Sequence, residues 1–102
     1  MTTERIKKPR KVSDEEVYET IINLCRKAGL TGSVRPEDVA RVLLQEHWQT
    51  ILKRVRMFSK KLAQNGRILI LRKGKPADPD DFRGLIRLQI TAAGLLDSNS
   101  RS

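Results

Sequence analysis

The order of the periodic segments is the strongest constraint on the fold. Three stretches with helical apolar spacing come first, and they predict helices over about residues 14–28, 36–45 and 48–65. Two strand-like runs follow, at 67–72 and 85–90. Three helices followed by a hairpin is the order of a winged helix-turn-helix domain. The predicted fold class is therefore α+β: a winged helix-turn-helix with three helices followed by a β-hairpin wing.

Signals at the segment ends support these helices. Ser13 and Glu16 have the spacing of a capping box before the first helix. Pro36 suits the first turn of the second helix, where a backbone N–H has no intrahelical acceptor. Asn65-Gly66 is a strong stop for the third helix.

Smaller elements complete the predicted domain. A brief strand is expected at Ser33-Val34, and residues 91–96 are predicted to form a short helix capped by Thr91. Residues 73–84 are dense in turn-forming residues and are predicted to be one long connection between the two strands. They either bind a partner, as long loops often do, or fold back as a cover over the sheet.

The ends of the chain have no apolar periodicity. Residues 1–12 are polar and basic and are predicted to be a disordered arm, with the winged-helix domain over 13–97 and a frayed tail over 98–102. A chain of 102 residues suits one domain.

Composition also predicts the compartment. The single cysteine, Cys25, cannot form an internal disulfide and suits a reducing environment. No apolar run approaches the roughly 18 residues of a membrane span, and the basic start lacks the apolar run of a signal peptide. We expect a cytoplasmic protein that is not associated with membranes.

The distribution of charge is more informative than the net charge of +9. The segment 48–75 carries nine basic residues and no acid, whereas the rest of the chain outside the basic arm is net acidic. This asymmetry is typical of a surface that binds a polyanion.

The third helix carries much of this charge. At 100° per residue, Lys53, Arg56 and Lys60 lie opposite Val55 and Leu62, which belong to its apolar stripe. The residues predicted to contact nucleic acid lie on this helix and on the following strand and turn: Lys53, Arg54, Arg56, Lys60, Lys61, Arg72, Lys73 and Lys75. Lys53, Arg56 and Lys60 would meet bases or phosphates. The others, Arg54, Lys61, Arg72, Lys73 and Lys75, would contact the backbone.

A spaced series of motifs resembles one protein family. The series includes Pro36-Glu37-Asp38-Val39-Ala40-Arg41, Trp48, Gly66-Arg67-Ile68, Lys73-Gly74-Lys75-Pro76-Ala77-Asp78-Pro79 and Gly84-Leu85-Ile86-Arg87-Leu88. It is similar to a family of short bacterial proteins of unknown function that are regarded as winged-helix-like, over about residues 14–90. The chain departs from the pattern at Glu37, where Ser is expected, and at Leu85, where Pro is expected. The resemblance implies the fold and assigns no activity. Separately, residues 90–96 are similar to the exit from the wing in many winged-helix transcription regulators.

Catalytic and metal sites have little support in the sequence. Cys25 is expected to be inert packing on the inner face of the first helix, and the only histidine, His47, is expected to be a turn residue. Two such residues cannot supply a structural zinc site. The acids Asp78, Asp80 and Asp81 are interpreted as a solvated wing tip. We expect no enzyme activity, no cofactor and no metal. Trp48 either stacks on a ligand or packs in the core, and the side of the helix that it shares with Ile51 favours the core.

These observations predict a nucleic-acid-binding protein, with double-stranded DNA the favoured partner and transcription regulation a role it would suit. The basic arm (Lys7, Lys8, Arg10 and Lys11) would add phosphate or minor-groove contacts. The alternatives are RNA binding, which the same surface permits, and a winged-helix adaptor that binds a protein partner and no DNA. The acidic wing tip counts against a wing that lies on a phosphate backbone.

Overall fold

The computed structural model describes residues 11–80 and 84–97, with the side chain of residue 97 left out. The elements follow one another as α1 (Asp14–Ala28), α2 (Pro36–Leu43), α3 (Trp48–Gln64), β1 (Ile68–Arg72), β2 (Lys75–Pro76), β3 (Arg87–Ile90) and α4 (Ala92–Asp97). The fold is α+β, with three helices followed by a small antiparallel sheet of three strands in the order β2-β1-β3. This arrangement is compatible with the predicted winged helix-turn-helix. None of the helices in the described ranges is long and apolar enough to cross a membrane.

Helix α1 begins with the predicted capping box. The Ser13 hydroxyl accepts the Glu16 backbone N–H at 3.1 Å, and the Glu16 carboxylate accepts the Ser13 N–H at 3.0 Å. These bonds satisfy two donors that a helix start leaves without intrahelical acceptors. Helix α1 then buries Val17, Ile21 and Cys25 on one face.

Helix α2 is shorter than predicted, because it ends at Leu43 rather than at residue 45. Leu44 leaves the helix with an extended backbone while its N–H still donates to the Ala40 carbonyl at 2.8 Å. Its side chain packs against the core. The extended backbone at this residue starts the short connection that leads to α3.

The two predicted strands do pair antiparallel, as β1 and β3, but the prediction that residues 73–84 form one long connection between them is wrong. Instead, β1 turns directly into β2 through Lys73 and Gly74, with Arg72 paired to Lys75. Both turn residues have positive φ, 55° and 80°, as a two-residue type I′ hairpin turn requires. Turn-forming residues continue well past Gly74, and so the sequence pattern does not show where the chain reverses. We call residues 68–76 the wing hairpin.

Strand β3 pairs with the other edge of β1, in the register Ile68 to Ile90 and Leu71 to Arg87. The brief strand expected at Ser33-Val34 is present as an isolated bridge between Val34 and Leu88. After β3, the Thr91 hydroxyl accepts the Gly94 backbone N–H at 3.0 Å and so caps α4, as predicted.

The core is aliphatic, as the low aromatic content of 4% requires. Residues from α1, α2, α3 and the sheet meet in one buried cluster. The ring of the partly buried Tyr18 packs against it, 4.7 Å from the ring of Phe58. Val12, predicted to belong to the arm, is a member of this cluster. The rest of the arm before Lys11, and the tail over 98–102, lie outside the described residues.

Candidate nucleic-acid interface

The predicted cationic residues occupy two adjoining elements, helix α3 and the wing hairpin. The apolar stripe of α3 buries Ile51, Val55 and Leu62, together with Ser59, whose hydroxyl donates to the Val55 carbonyl at 2.8 Å. Because this stripe faces the core, the opposite face of α3 is directed toward solvent. The structure therefore places the basic face where a ligand can approach it.

On this outer face, Lys53, Met57 and Lys61 are exposed. The Lys61 ammonium lies 5.5 Å from the centroid of the Phe58 ring, within the range of a cation–π contact. Its charge remains in solvent, since the residue as a whole is exposed. Lys53 and Lys61 are thus placed to meet an anion.

Arg54, predicted to contact the nucleic-acid backbone, makes two bonds within the chain. Its Nη2 donates to the Val12 carbonyl at 2.6 Å and to Asp14 Oδ1 at 2.9 Å. These bonds hold the chain at its entry into α1, and they direct the guanidinium toward the protein. The spacing along α3 indicated that Arg54 flanks the basic face, but it could not show an acceptor some 40 residues earlier.

Arg56 and Lys60 are half-buried, and Gly84 and Asp80 lie beside them. Arg56 Nη1 donates to the Gly84 carbonyl at 3.4 Å, and Lys60 Nζ lies 3.5 Å from Asp80 Oδ1. Gln64, one turn beyond Lys60, donates from Nε2 to the same Asp80 oxygen at 2.8 Å. Asp80 and Gly84 therefore lie against part of the predicted contact face, a position that neither prediction for the connection 73–84 included.

The cations of the wing hairpin differ from those of α3 in their exposure and their contacts. Arg72, Lys73 and Lys75 are all exposed. Within the described ranges, none of these three side chains makes a hydrogen bond or ion pair with the rest of the chain. The tight turn at Lys73 and Gly74 projects them from the body of the domain.

A groove connects the hairpin with the start of α2 and the start of β3. Its lining includes Arg72 and Lys73 from the hairpin, Arg35 beside α2, Arg87 from β3, and Gly84. Gly84 is also the residue whose carbonyl accepts from Arg56 of α3.

Arg35 and Arg87 were not among the predicted site residues. Arg87 Nε donates to the Ser33 hydroxyl at 2.6 Å, and Arg35 Nη2 pairs with Asp38 Oδ1 at 3.4 Å. The alternation of apolar and polar residues in β3 predicts that Arg87 is exposed. The sequence does not predict that Arg35 lies at the same groove, because the bridge between Val34 and Leu88 brings it there.

Trp48 is half-buried and packs against the core, as its side of the helix predicted. The Arg41 guanidinium lies 4.6 Å from the centroid of its ring. His47 lies in the connection before α3, where its carbonyl accepts from both the backbone and the hydroxyl of Thr50. Its position as a turn residue is confirmed.

Cys25 is buried, as predicted, and burial raises the pKa of its thiol to about 12. Since the thiolate is the reactive form, this environment suppresses nucleophilic chemistry near neutral pH. In the described part of the chain, no three His, Cys, Asp or Glu residues converge as ligands for a metal ion. Asp81, one of the three acids of the predicted wing tip, lies outside the described residues.

Residues 14–91 match the family described as Protein of unknown function (DUF3253), and the chain belongs to this family. The match confirms the resemblance to an uncharacterised family and covers all of the domain from α1 to β3. A comparison with curated proteins gives no match.

Proposed function

We propose that this protein binds nucleic acid, with double-stranded DNA as its favoured partner, through helix α3 and the wing hairpin. One observation carries the proposal. The segment 48–75 has 28 residues and no acid, and cations from it are exposed on two adjoining elements. A duplex presents one negative charge per about 1.7 Å of its axis, and surface lysines and arginines that neutralise phosphates release condensed counterions. Exposed cations in one contiguous region support this kind of binding.

The dimensions of α3 suit a duplex groove. An α-helix with its side chains is about 10–12 Å wide, and the major groove of B-DNA is about 12 Å wide. In this mode Lys53 and Lys61 face the groove, while Lys73 and Lys75 lie on the hairpin beside the helix and meet phosphates. The described basic residue of the arm, Lys11, is exposed and adds a further candidate contact.

The proposed binding is loosely specific. Phosphate contacts set position and affinity, whereas sequence is read by hydrogen bonds to base edges. The outer face of α3 offers two amides, Gln49 and Gln64, and Gln64 already donates to Asp80. Transcription regulation is a role that such a protein would suit if it prefers its target site over competing DNA.

The proposal includes a binding function without catalysis, in the cytoplasm. The buried Cys25 thiol with its raised pKa supports packing rather than nucleophilic chemistry. A single free cysteine suits a reducing compartment.

The test is a titration of three labelled ligands at several salt concentrations: duplex DNA, single-stranded DNA and a structured RNA. We expect the duplex to bind most tightly, with log K falling linearly against log salt. Tighter binding of the RNA would assign the same surface to RNA. Failure of all three to bind at low salt would reject the proposal.

A protein-interaction adaptor is the second candidate function, and one observation favours it. Val42, which is 59% exposed, lines an open depression with Leu24 of α1 and Leu95 of α4. Leu30 and Leu96 are also exposed. Exposed apolar side chains that line an open depression are typical of protein contacts. An adaptor of this kind would show no salt-dependent binding to any of the three nucleic acids.

A further inference from the structure

Two donors of helix α3 converge on a single anionic oxygen. Lys60 and Gln64 are four residues apart and therefore share a face of the helix. Lys60 Nζ lies 3.5 Å from Asp80 Oδ1, and Gln64 Nε2 donates to that oxygen at 2.8 Å. An ammonium and an amide N–H directed at one point form a small site for an anion.

The chain itself holds the carboxylate in this position. Asp78 Oδ1 accepts the Asp80 backbone N–H at 2.9 Å and fixes the local turn. Farther along, the Gly84 carbonyl accepts from Arg56 at 3.4 Å. These contacts hold Asp80 and Gly84 beside α3, and both residues stay exposed.

The carboxylate is nevertheless easy to displace. The Lys60 side chain is 41% exposed and the Asp80 side chain is 67% exposed. Ion pairs at this exposure are screened by salt and stabilise a fold only weakly. An external anion can therefore reach the two donors and compete for them.

We propose that Lys60 and Gln64 form a phosphate-binding site and that the Asp80 carboxylate occupies it in the free protein. A phosphate oxygen is the same kind of acceptor as a carboxylate oxygen, with at least equal negative charge. The inference rests on the proposed function, because the phosphate that displaces Asp80 belongs to the backbone of the bound nucleic acid. Asp80 is then an internal competitor that lowers the affinity of α3 for that backbone.

Two variants of the same segment separate this competition from general repulsion. Asp80→Asn and Asp78→Asn each remove one negative charge and preserve size, and an asparagine at 78 can still accept the backbone bond. We expect Asp80→Asn to bind duplex DNA about two- to fivefold more tightly at 0.1 M salt, the range that an exposed ion pair allows. We expect a clearly smaller gain from Asp78→Asn. Equal gains from the two variants would overturn the proposal.

The same substitution, Asp80→Asn, made in a Lys60→Gln variant shows whether Asp80 acts through the donors Lys60 and Gln64. In Lys60→Gln, the substitution Asp80→Asn has no ammonium to release, and we expect its gain in duplex affinity to disappear. A gain of the same size in the presence and absence of Lys60 would mean that Asp80 repels DNA from a distance. That result would contradict the proposal.

Inorganic phosphate tests the site without nucleic acid. In ¹⁵N-labelled protein, phosphate should shift the side-chain amide resonances of Gln64 at lower concentration in Asp80→Asn than in the wild type. Absence of a shift in both proteins would reject the site even if DNA binds elsewhere. A shift at Gln64 in a protein that binds no nucleic acid would retain the site and reject the proposed function.

Discussion

Of the cations on α3, Arg54 and Lys60 are held by acceptors elsewhere in the chain, whereas Arg72, Lys73 and Lys75 of the wing hairpin extend into solvent. Both regions belong to the same stretch without acids, and their sequences give no sign of this difference. Long-range contacts determine which charges remain available to a ligand. Counting charges along the sequence therefore identifies the surface but overstates the share of it that is free.

The largest expected effect lies in the hairpin. Lys73→Ala combined with Lys75→Ala should weaken duplex binding about 60-fold at 0.1 M salt, since each lost phosphate contact removes a slope of about 0.9 in log K against log salt. Thermal unfolding should change little, because both side chains are exposed. The control is Arg26→Ala with Lys27→Ala, which removes the same charge from α1. Equal losses from the two pairs would show that net charge, and not the hairpin, governs binding.

Replacement of Arg54 should lower the stability of the fold and leave the affinity for duplex DNA nearly unchanged. Arg54→Met removes both bonds at the entry to α1 and leaves the carbonyl of buried Val12 without this donor, and so we expect a loss of about 1–3 kcal/mol in the free energy of unfolding. Duplex affinity of the folded protein should stay within about twofold, because the guanidinium faces the protein.

The matched variant on the neighbouring position is Lys53→Met. It should leave the free energy of unfolding within about 0.5 kcal/mol of the wild type, as surface substitutions usually do, and should weaken duplex binding about eightfold at 0.1 M salt. Chemical denaturation and duplex titration of both variants provide the comparison. A stable Arg54→Met protein with strongly reduced duplex affinity would show that Arg54 contacts the DNA and would contradict this account.

The turn of the hairpin tests the backbone conformation that projects its cations. Gly74→Ala should cost about 1–2 kcal/mol, because Gly74 has a φ of 80° that a Cβ disfavours. Lys73→Asn should stabilise the hairpin by a few tenths of a kcal/mol, since asparagine tolerates positive φ at this turn position, while it weakens duplex binding through the lost charge. Chemical denaturation of the two variants measures the two changes in stability, and duplex titration of Lys73→Asn measures the loss of affinity. Equal stability of the two variants would argue against the type I′ turn.

The parts of the fold that depend on neighbouring residues were predictable from the sequence. The capping box at Ser13 and Glu16, the buried face that includes Cys25, and the end of α3 near Asn65 all follow from spacing within a few residues. Helical period and cap chemistry are local properties, and this is why such signals are reliable.

The hairpin and the candidate site were less predictable, for two physical reasons. Lys73 adopts a positive φ that lysine normally avoids, and no sequence pattern favours it there. The contacts of Arg54 with Val12 and of Lys60 with Asp80 join residues far apart in the chain, and helical spacing carries no information about them.

The central claim is that α3 and the wing hairpin bind the phosphate backbone of a duplex. The measurement that tests it most directly is the salt dependence of duplex affinity. With Lys53, Lys60, Lys61, Lys73 and Lys75 in contact, log K should fall with log salt at a slope of about −4.5, and the slope should change to about −2.7 in the variant that carries both Lys73→Ala and Lys75→Ala. A wild-type slope near zero, or a slope that the hairpin variant leaves unchanged, would contradict it.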